Sequence, residues 1–182
     1  MKQFLWGCIA GVILVPLVFY LFVITGALPV ATSAPPLPFE KPLSRMALRA
    51  RMLKERPKQV PIATDEQGLV AGAEIYREHC AFCHGLPNQR QTADALGMFP
   101  RPPELLNGKG ATNDPAQSTF WKVRNGIRLS GMPGYSQALS DRQIWQVSLL
   151  LLNADKLPPS AREALQPQPT APLASVGAKL HQ

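Results

Sequence analysis

Cys80-Ala81-Phe82-Cys83-His84 decides how the rest of the chain is read. Two cysteines three apart, with a histidine directly after the second, form the attachment pattern for c-type haem. On one helical turn both thiols face the same way and reach the two vinyl groups of a single porphyrin as thioethers. His84 then lies beneath the ring, where its imidazole takes the proximal iron position. A zinc site needs a second pair of ligands, and the remaining cysteine, Cys8, sits inside an apolar run. A thioredoxin-type pair needs a βαβ setting, and no alternating strand pattern surrounds the motif.

Around this motif, 182 residues allow one domain with extensions. The 19 prolines gather at 29–61, 87–115 and 158–172, so a core is flanked by extended segments. The net charge of +7 is unevenly placed, with seven Lys/Arg against Glu55 alone between residues 41 and 58. Residues 67–155 hold eight basic and seven acidic groups and are close to neutral. Nucleic-acid binding needs its basic groups on the folded domain, so no nucleic-acid partner is expected.

No charge interrupts the 25 positions from Phe4 to Leu28. About 20 such residues span a bilayer as a helix, and residues 1–28 are expected to be a single transmembrane anchor. The apolar part of a cleaved signal peptide is usually ~7–15 residues, shorter than this run. A weak cleavage context at Ala31-Thr32-Ser33-Ala34 is followed unfavourably by Pro35. Pro16 is tolerated in a membrane helix with a kink. Gly7 and Gly11 read as chance or as a close-approach pair. Lys2 and the amino terminus mark the cytoplasmic side. The basic stretch begins 13 residues past Leu28, and long domains translocate largely regardless of charge.

Residues 29–64 are expected to be a proline-rich basic linker, its first part extended and semi-rigid. Within it, Ser44–Arg56 has helix formers, with Leu43, Met46, Ala50 and Leu53 on one side. Two readings stand: a solvated tether, or an amphipathic helix lying on anionic headgroups or an acidic partner.

Residues 65–155 are expected to form the haem domain. Thr64 with Gln67 three residues on signals a helix start. Leu69, Gly72, Ala73 and Tyr76 follow at helical spacing, with Gly72 removing bulk where another helix crosses. Ser140 with Gln143 signals a second start, leading into Ile144, Trp145, Val147 and Leu149–Leu152. Trp145 reads as core. Between these helices Met132 stands 48 residues after His84, on the loop Gly131-Met132-Pro133-Gly134. Its thioether suits haem iron, and His/Met ligation raises the potential. Gly131 and Gly134 would let the backbone approach the porphyrin. Met98, 14 residues past His84, is the competing thioether and reads better as a packing side chain. Arg101, Trp121 and Arg124 are candidate donors to haem propionates. Pro102-Pro103 is placed to offer a carbonyl to the second ring nitrogen of His84.

The chain here resembles the class I cytochromes c, and more closely the small membrane-anchored monohaem cytochromes of bacteria. The residues that carry the likeness are Gly72, Tyr76, Cys80–Gly85, Phe99–Pro103, Trp121–Arg128, Gly131-Met132-Pro133, Asp141 and Ile144-Trp145. It covers 67–155, and departs at Leu149, where such terminal helices often carry a tyrosine. The resemblance implies an all-α, compact cytochrome c fold around one covalent haem c, with His84 and Met132 axial. Covalent attachment in that family takes place outside the cytoplasmic membrane, which places the N-terminus inside and the haem domain in the periplasm.

Residues 156–182, rich in Pro, Ala, Gln and Ser, are expected to be a disordered tail. The function expected is single-electron transfer in a respiratory or dehydrogenase chain, not catalysis. The site residues are Cys80, Cys83, His84 and Met132. By the same resemblance the partners are a quinol-oxidising complex or dehydrogenase upstream and a terminal oxidase downstream. The alternative is a haem enzyme or gas sensor with a labile sixth ligand. A fixed subunit of a larger complex would share the chemistry and differ in partnership.

Overall fold

The computed structural model describes residues 1–89, 91–106 and 114–167. It divides into Met1–Met46 and a second unit that starts at Ala47. Among the described residues all regular structure is helical, apart from an isolated bridge between Leu86 and Gln89.

In the first unit, α1 (Lys2–Ile24) is 23 residues long. At ~1.5 Å per residue that is about 35 Å, enough for a hydrocarbon core of ~30 Å. Its apolar side chains are exposed along its length, and by length and composition it qualifies as a membrane span. The helix stops four residues short of Leu28. The Thr25 hydroxyl donates to Leu21 O at 2.7 Å, and Gly26 takes a φ of +72° that a helix cannot continue through.

The next helix, α2 (Glu40–Glu55), begins four residues before the expected Ser44. Pro42 is tolerated there because first-turn N–H groups have no intrahelical partner, and the Glu40 carboxylate accepts from Leu37 N at 2.8 Å. The later half of α2 lies in the second unit. Met52 is buried, Arg56 Nη1 donates to Ser118 Oγ at 2.9 Å, and Trp121 Nε1 donates to Glu55 at 3.3 Å. The expected linker 29–64 therefore ends in a folded segment. The basic residues of α2 made it read as solvated, while Met52 alone carries the burial.

The second unit is organised on α3 (Glu66–His79) and α7 (Asp141–Leu152). The cap of α3 is Asp65 and not Thr64, its carboxylate accepting from Gly68 N at 2.6 Å. A carboxylate is the stronger cap and also suits the helix dipole. Ser140 and Gln143 form the expected capping box on α7. The two helices touch where a Cβ on Gly72 would lie 2.5 Å from Gln146 O. Ala73, Tyr76, Ile144, Val147 and Leu150 are fully buried in the same core. Helix α6 (Ala116–Asn125) packs on α7 through Phe120, whose ring stacks on Trp145 with centroids 4.2 Å apart. Trp145 is thus core, as expected.

Short helices α4 (Ala81–His84) and α5 (Ala93–Leu96) follow α3. The last, α8 (Pro159–Ala164), corrects the expected tail. Leu157, Ala161 and Leu165 are buried, and Arg77 Nη1 donates to Ala164 O at 2.6 Å. Three apolar residues at four-residue spacing give α8 a face for α3, a pattern too short to stand out among prolines. The tail from residue 168 onward lies outside the described residues.

Candidate functional site

Helix α3 delivers the motif. Cys80 ends α3 and begins α4, its N–H bonded to Tyr76 O and its carbonyl accepting from both Cys83 N and His84 N. Cys80 and Cys83 are free thiols, both half-buried, while Phe82 between them is 55% exposed. Burial, and secondarily the neighbouring Cys83, push the free Cys80 thiol up to about 12.

A four-residue helix leaves its final carbonyls without helical partners, and here side chains satisfy them. Thr92 Oγ1 donates to Phe82 O at 3.0 Å, Gln91 Nε2 to Cys83 O at 2.9 Å, and Tyr76 OH to Gly85 O at 2.9 Å. Gln91 Nε2 also donates to Pro102 O at 2.7 Å, and Arg101 Nε donates to Gln91 Oε1 at 3.1 Å. Gln91 and Thr92 were not legible as site residues, because nothing in a proline-flanked loop foretells which carbonyls it returns to.

His84 Nδ1 lies 2.7 Å from Pro103 O. A carbonyl only accepts, so Nδ1 carries the proton. Burial lowers the His84 pKa, opposed by the Pro103 bond, and so favours the neutral ring. A neutral imidazole protonated at Nδ1 has its lone pair on Nε2, the atom a metal would take. The expected approach of Pro102-Pro103 to His84 is observed.

Met132 sits on a loop closed by its own backbone. Ile127 N donates to Met132 O at 3.1 Å, Met132 N to Ser130 Oγ at 3.2 Å, and Tyr135 N to Val123 O at 2.9 Å. A Cβ on Gly126 would lie 2.6 Å from Gly134 N, and one on Gly134 would lie 2.8 Å from Asn125 C. Gly134 therefore serves loop closure. Gly131 instead meets Met98, whose Sδ is 2.8 Å from where its Cβ would stand. Both candidate thioethers are thus brought to one loop. Met132 is half-buried and packs on the same core as Cys80, Ala81 and Tyr135. The Tyr135 hydroxyl donates to His79 O at 2.8 Å, tying the loop to the residue before Cys80.

Of the candidate propionate donors, Trp121 donates to Glu55, and Arg124 Nε lies 3.1 Å from Asp141 Oδ1. Arg101 serves Gln91. Each of the three donates one N–H to a protein acceptor.

Two thiols on one turn, a neutral imidazole with Nε2 as its lone-pair atom, and a soft thioether, Met132, on a separate loop that Met98 also meets form a donor set suited to haem c. Phe82, Leu96 (49% exposed) and Leu129 (92%) are large apolar side chains left facing outward, of the kind a porphyrin covers.

Residues 68–149 match the family model of cytochrome c oxidase, cbb3-type, subunit III. No curated protein matches the chain. Among solved structures, a chain of a reducing HAO-like protein complex of Kuenenia stuttgartiensis is similar, with 22% identity and a TM-score of 0.45. The similarity covers 52% of this chain and 46% of that one.

Proposed function

We propose, from the premise that this chain carries a c-type cytochrome domain and so serves haem-based electron transfer, that it is a membrane-anchored carrier of single electrons with one haem c. Cys80 and Cys83 would hold the haem as thioethers, and His84 and Met132 would ligate its iron. The observation that carries this reading is the His84 Nδ1–Pro103 O bond at 2.7 Å, which assigns the lone pair to Nε2 on the residue following the Cys pair. When bound, the haem supplies one-electron redox chemistry at iron.

The chain's own work is to hold that iron with little rearrangement. The Pro103 carbonyl keeps the imidazole neutral and electron-rich. The Gly126–Gly134 backbone crossing and the Tyr135–His79 bond hold the thioether loop against the motif helix. Met132 is favoured over Met98 because its N–H and C=O are both fixed within the loop. Helix α1 supports anchoring in the cytoplasmic membrane, N-terminus inside and haem domain in the periplasm. Residence near a membrane raises the effective concentration of partners held there. The matching family is named for a terminal oxidase subunit, which supports partners among respiratory complexes: a quinol-oxidising complex or dehydrogenase as donor and an oxidase as acceptor.

The test is the reduced spectrum of detergent-solubilised protein with and without carbon monoxide. An unchanged spectrum means both axial positions are held. A clear shift refutes the carrier reading and favours an enzyme or gas sensor. Met132→Ala is expected to lower the potential and admit carbon monoxide, while Met98→Ala does neither. The reverse result would move the distal ligand to Met98.

A further inference from the structure

Gln91 is buried, at 7% exposure, in a stretch otherwise concerned with chain reversal. Both Nε2 hydrogens are used, on Cys83 O at 2.9 Å and Pro102 O at 2.7 Å, and Oε1 accepts from Arg101 Nε at 3.1 Å. The network fixes the amide's orientation, since Oε1 turned toward two carbonyl oxygens would be repelled by both.

The two carbonyls belong to particular neighbours. Cys83 immediately precedes His84, and Pro102 immediately precedes Pro103, whose carbonyl receives the His84 Nδ1 proton. One side chain therefore spans the two backbone segments between which the imidazole is held. Tyr76 and Thr92 fix only the motif side of that gap, through Gly85 O and Phe82 O.

We propose that Gln91 is a positioning residue for the proximal ligand: it sets the distance from His84 to its Pro103 acceptor and thereby tunes the redox centre. The inference rests on His84 being that ligand. Without the Gln91 donors, two carbonyl oxygens aimed at the same space repel and separate. Pro103 then withdraws from Nδ1. A histidine that donates less strongly is a less electron-rich ligand. It stabilises oxidised iron less, and the potential rises.

The experiment uses the full-length holoprotein in detergent with Gln91→Met, which keeps length and removes both donors. Three quantities are read: reduction potential, solvent exchange of the His84 Nδ1–H by nitrogen-edited NMR, and thermal unfolding. The expected result is covalent haem retained, a raised potential and Nδ1–H exchange about tenfold faster, the scale set by weakening one hydrogen bond. Arg101→Ala leaves both carbonyl contacts in place and should move potential and exchange less. A lower melting temperature with unchanged potential and exchange would mean Gln91 is only a structural brace and would overturn the proposal. If Gln91→Met does not accumulate, Gln91→Asn is decisive instead. It is one carbon too short to reach both carbonyls, so wild-type values there also overturn it. Failure of the ligand reading itself is separately visible, as a His84 signal without paramagnetic shift in the oxidised wild-type protein.

Discussion

Gly72→Ala sets two physical effects against each other. Helix propensity alone favours the change, since alanine in a helix interior is ~1 kcal/mol better than glycine. The α3–α7 crossing opposes it. The new Cβ would stand 2.5 Å from Gln146 O, 2.8 Å from Gln146 C and 3.2 Å from Leu150 Cβ, where ordinary contact begins at 3.4 Å. Two of the three obstacles are backbone, so no rotamer change relieves them, and the helices must part by about 0.9 Å, the shortfall between those distances. A gap of ~0.5–1 Å forfeits a quarter to a half of each dispersion contact across it. The side chains losing contact include the fully buried Ala73, Tyr76, Ile144, Val147 and Leu150. Overpacking of this kind costs ~1–3 kcal/mol, and rigid obstacles put it at the upper end. After the propensity gain, the net loss is about 2 kcal/mol, or roughly 8 °C in melting temperature. Guanidinium unfolding of the holoprotein, followed by tryptophan fluorescence, reads it directly. Gly97→Ala is the control, because its Cβ would meet nothing nearer than Asp94 O at 3.5 Å, and should stay within ~0.5 kcal/mol. If Gly72→Ala is neutral or stabilising, propensity has won and the close crossing does not exist as described.

Ser140→Ala removes the capping box of α7 and should cost about 1 kcal/mol in the same unfolding assay; no change would mean Gln143 or solvent replaces the cap. Tyr76 is fully buried, and that burial above all holds its phenol above the ordinary value. Its contribution to stability is therefore complete below pH ~10 and is lost as pH rises toward the folded value. Tyr76→Phe should begin about 1 kcal/mol less stable through loss of the Gly85 bond, yet fall less steeply above pH 10; parallel curves would contradict this. Met52→Ala should release α2 from the second unit, speeding tryptic cleavage at Arg49, Arg51 and Lys54 by ~10–30-fold with the haem spectrum unchanged. Equal cleavage rates would mean the helix is held by Arg56 and Glu55 alone.

The parts of the fold and site legible in the sequence were those with short-range grammar. The capping box of α7, the apolar spacing of α3, the small residue at Gly72 and the Cys-x-x-Cys-His motif each declare themselves within a few positions. What escaped was long-range. Gln91 and Thr92 act on carbonyls eight to ten residues back, and Tyr135 reaches 56 residues back to His79. No periodicity encodes such returns. Asp65 displaced Thr64 as a cap because two adjacent capping residues compete, and the carboxylate binds better. Helix α8 and the end of α2 resemble extensions in the sequence because one or three buried apolar residues do not show against prolines and charge. Spacing from His84 separates Met98 from Met132, yet the fold brings both to the Gly131 loop.

The docking of α2 changes the mechanics of the tether. If residues 25–64, from the end of α1, were all compliant, the leash would have 40 links. With α2 helical and its end fastened by Met52 and Arg56, the non-helical stretch between Ile24 and Glu40 is 15 residues. Effective concentration falls roughly as the −3/2 power of leash length, so the shorter leash concentrates the tethered domain about fourfold. On the proposed anchoring by α1, encounter frequency with neighbours in that membrane would rise by the same factor, with no contact between carrier and partner made any stronger.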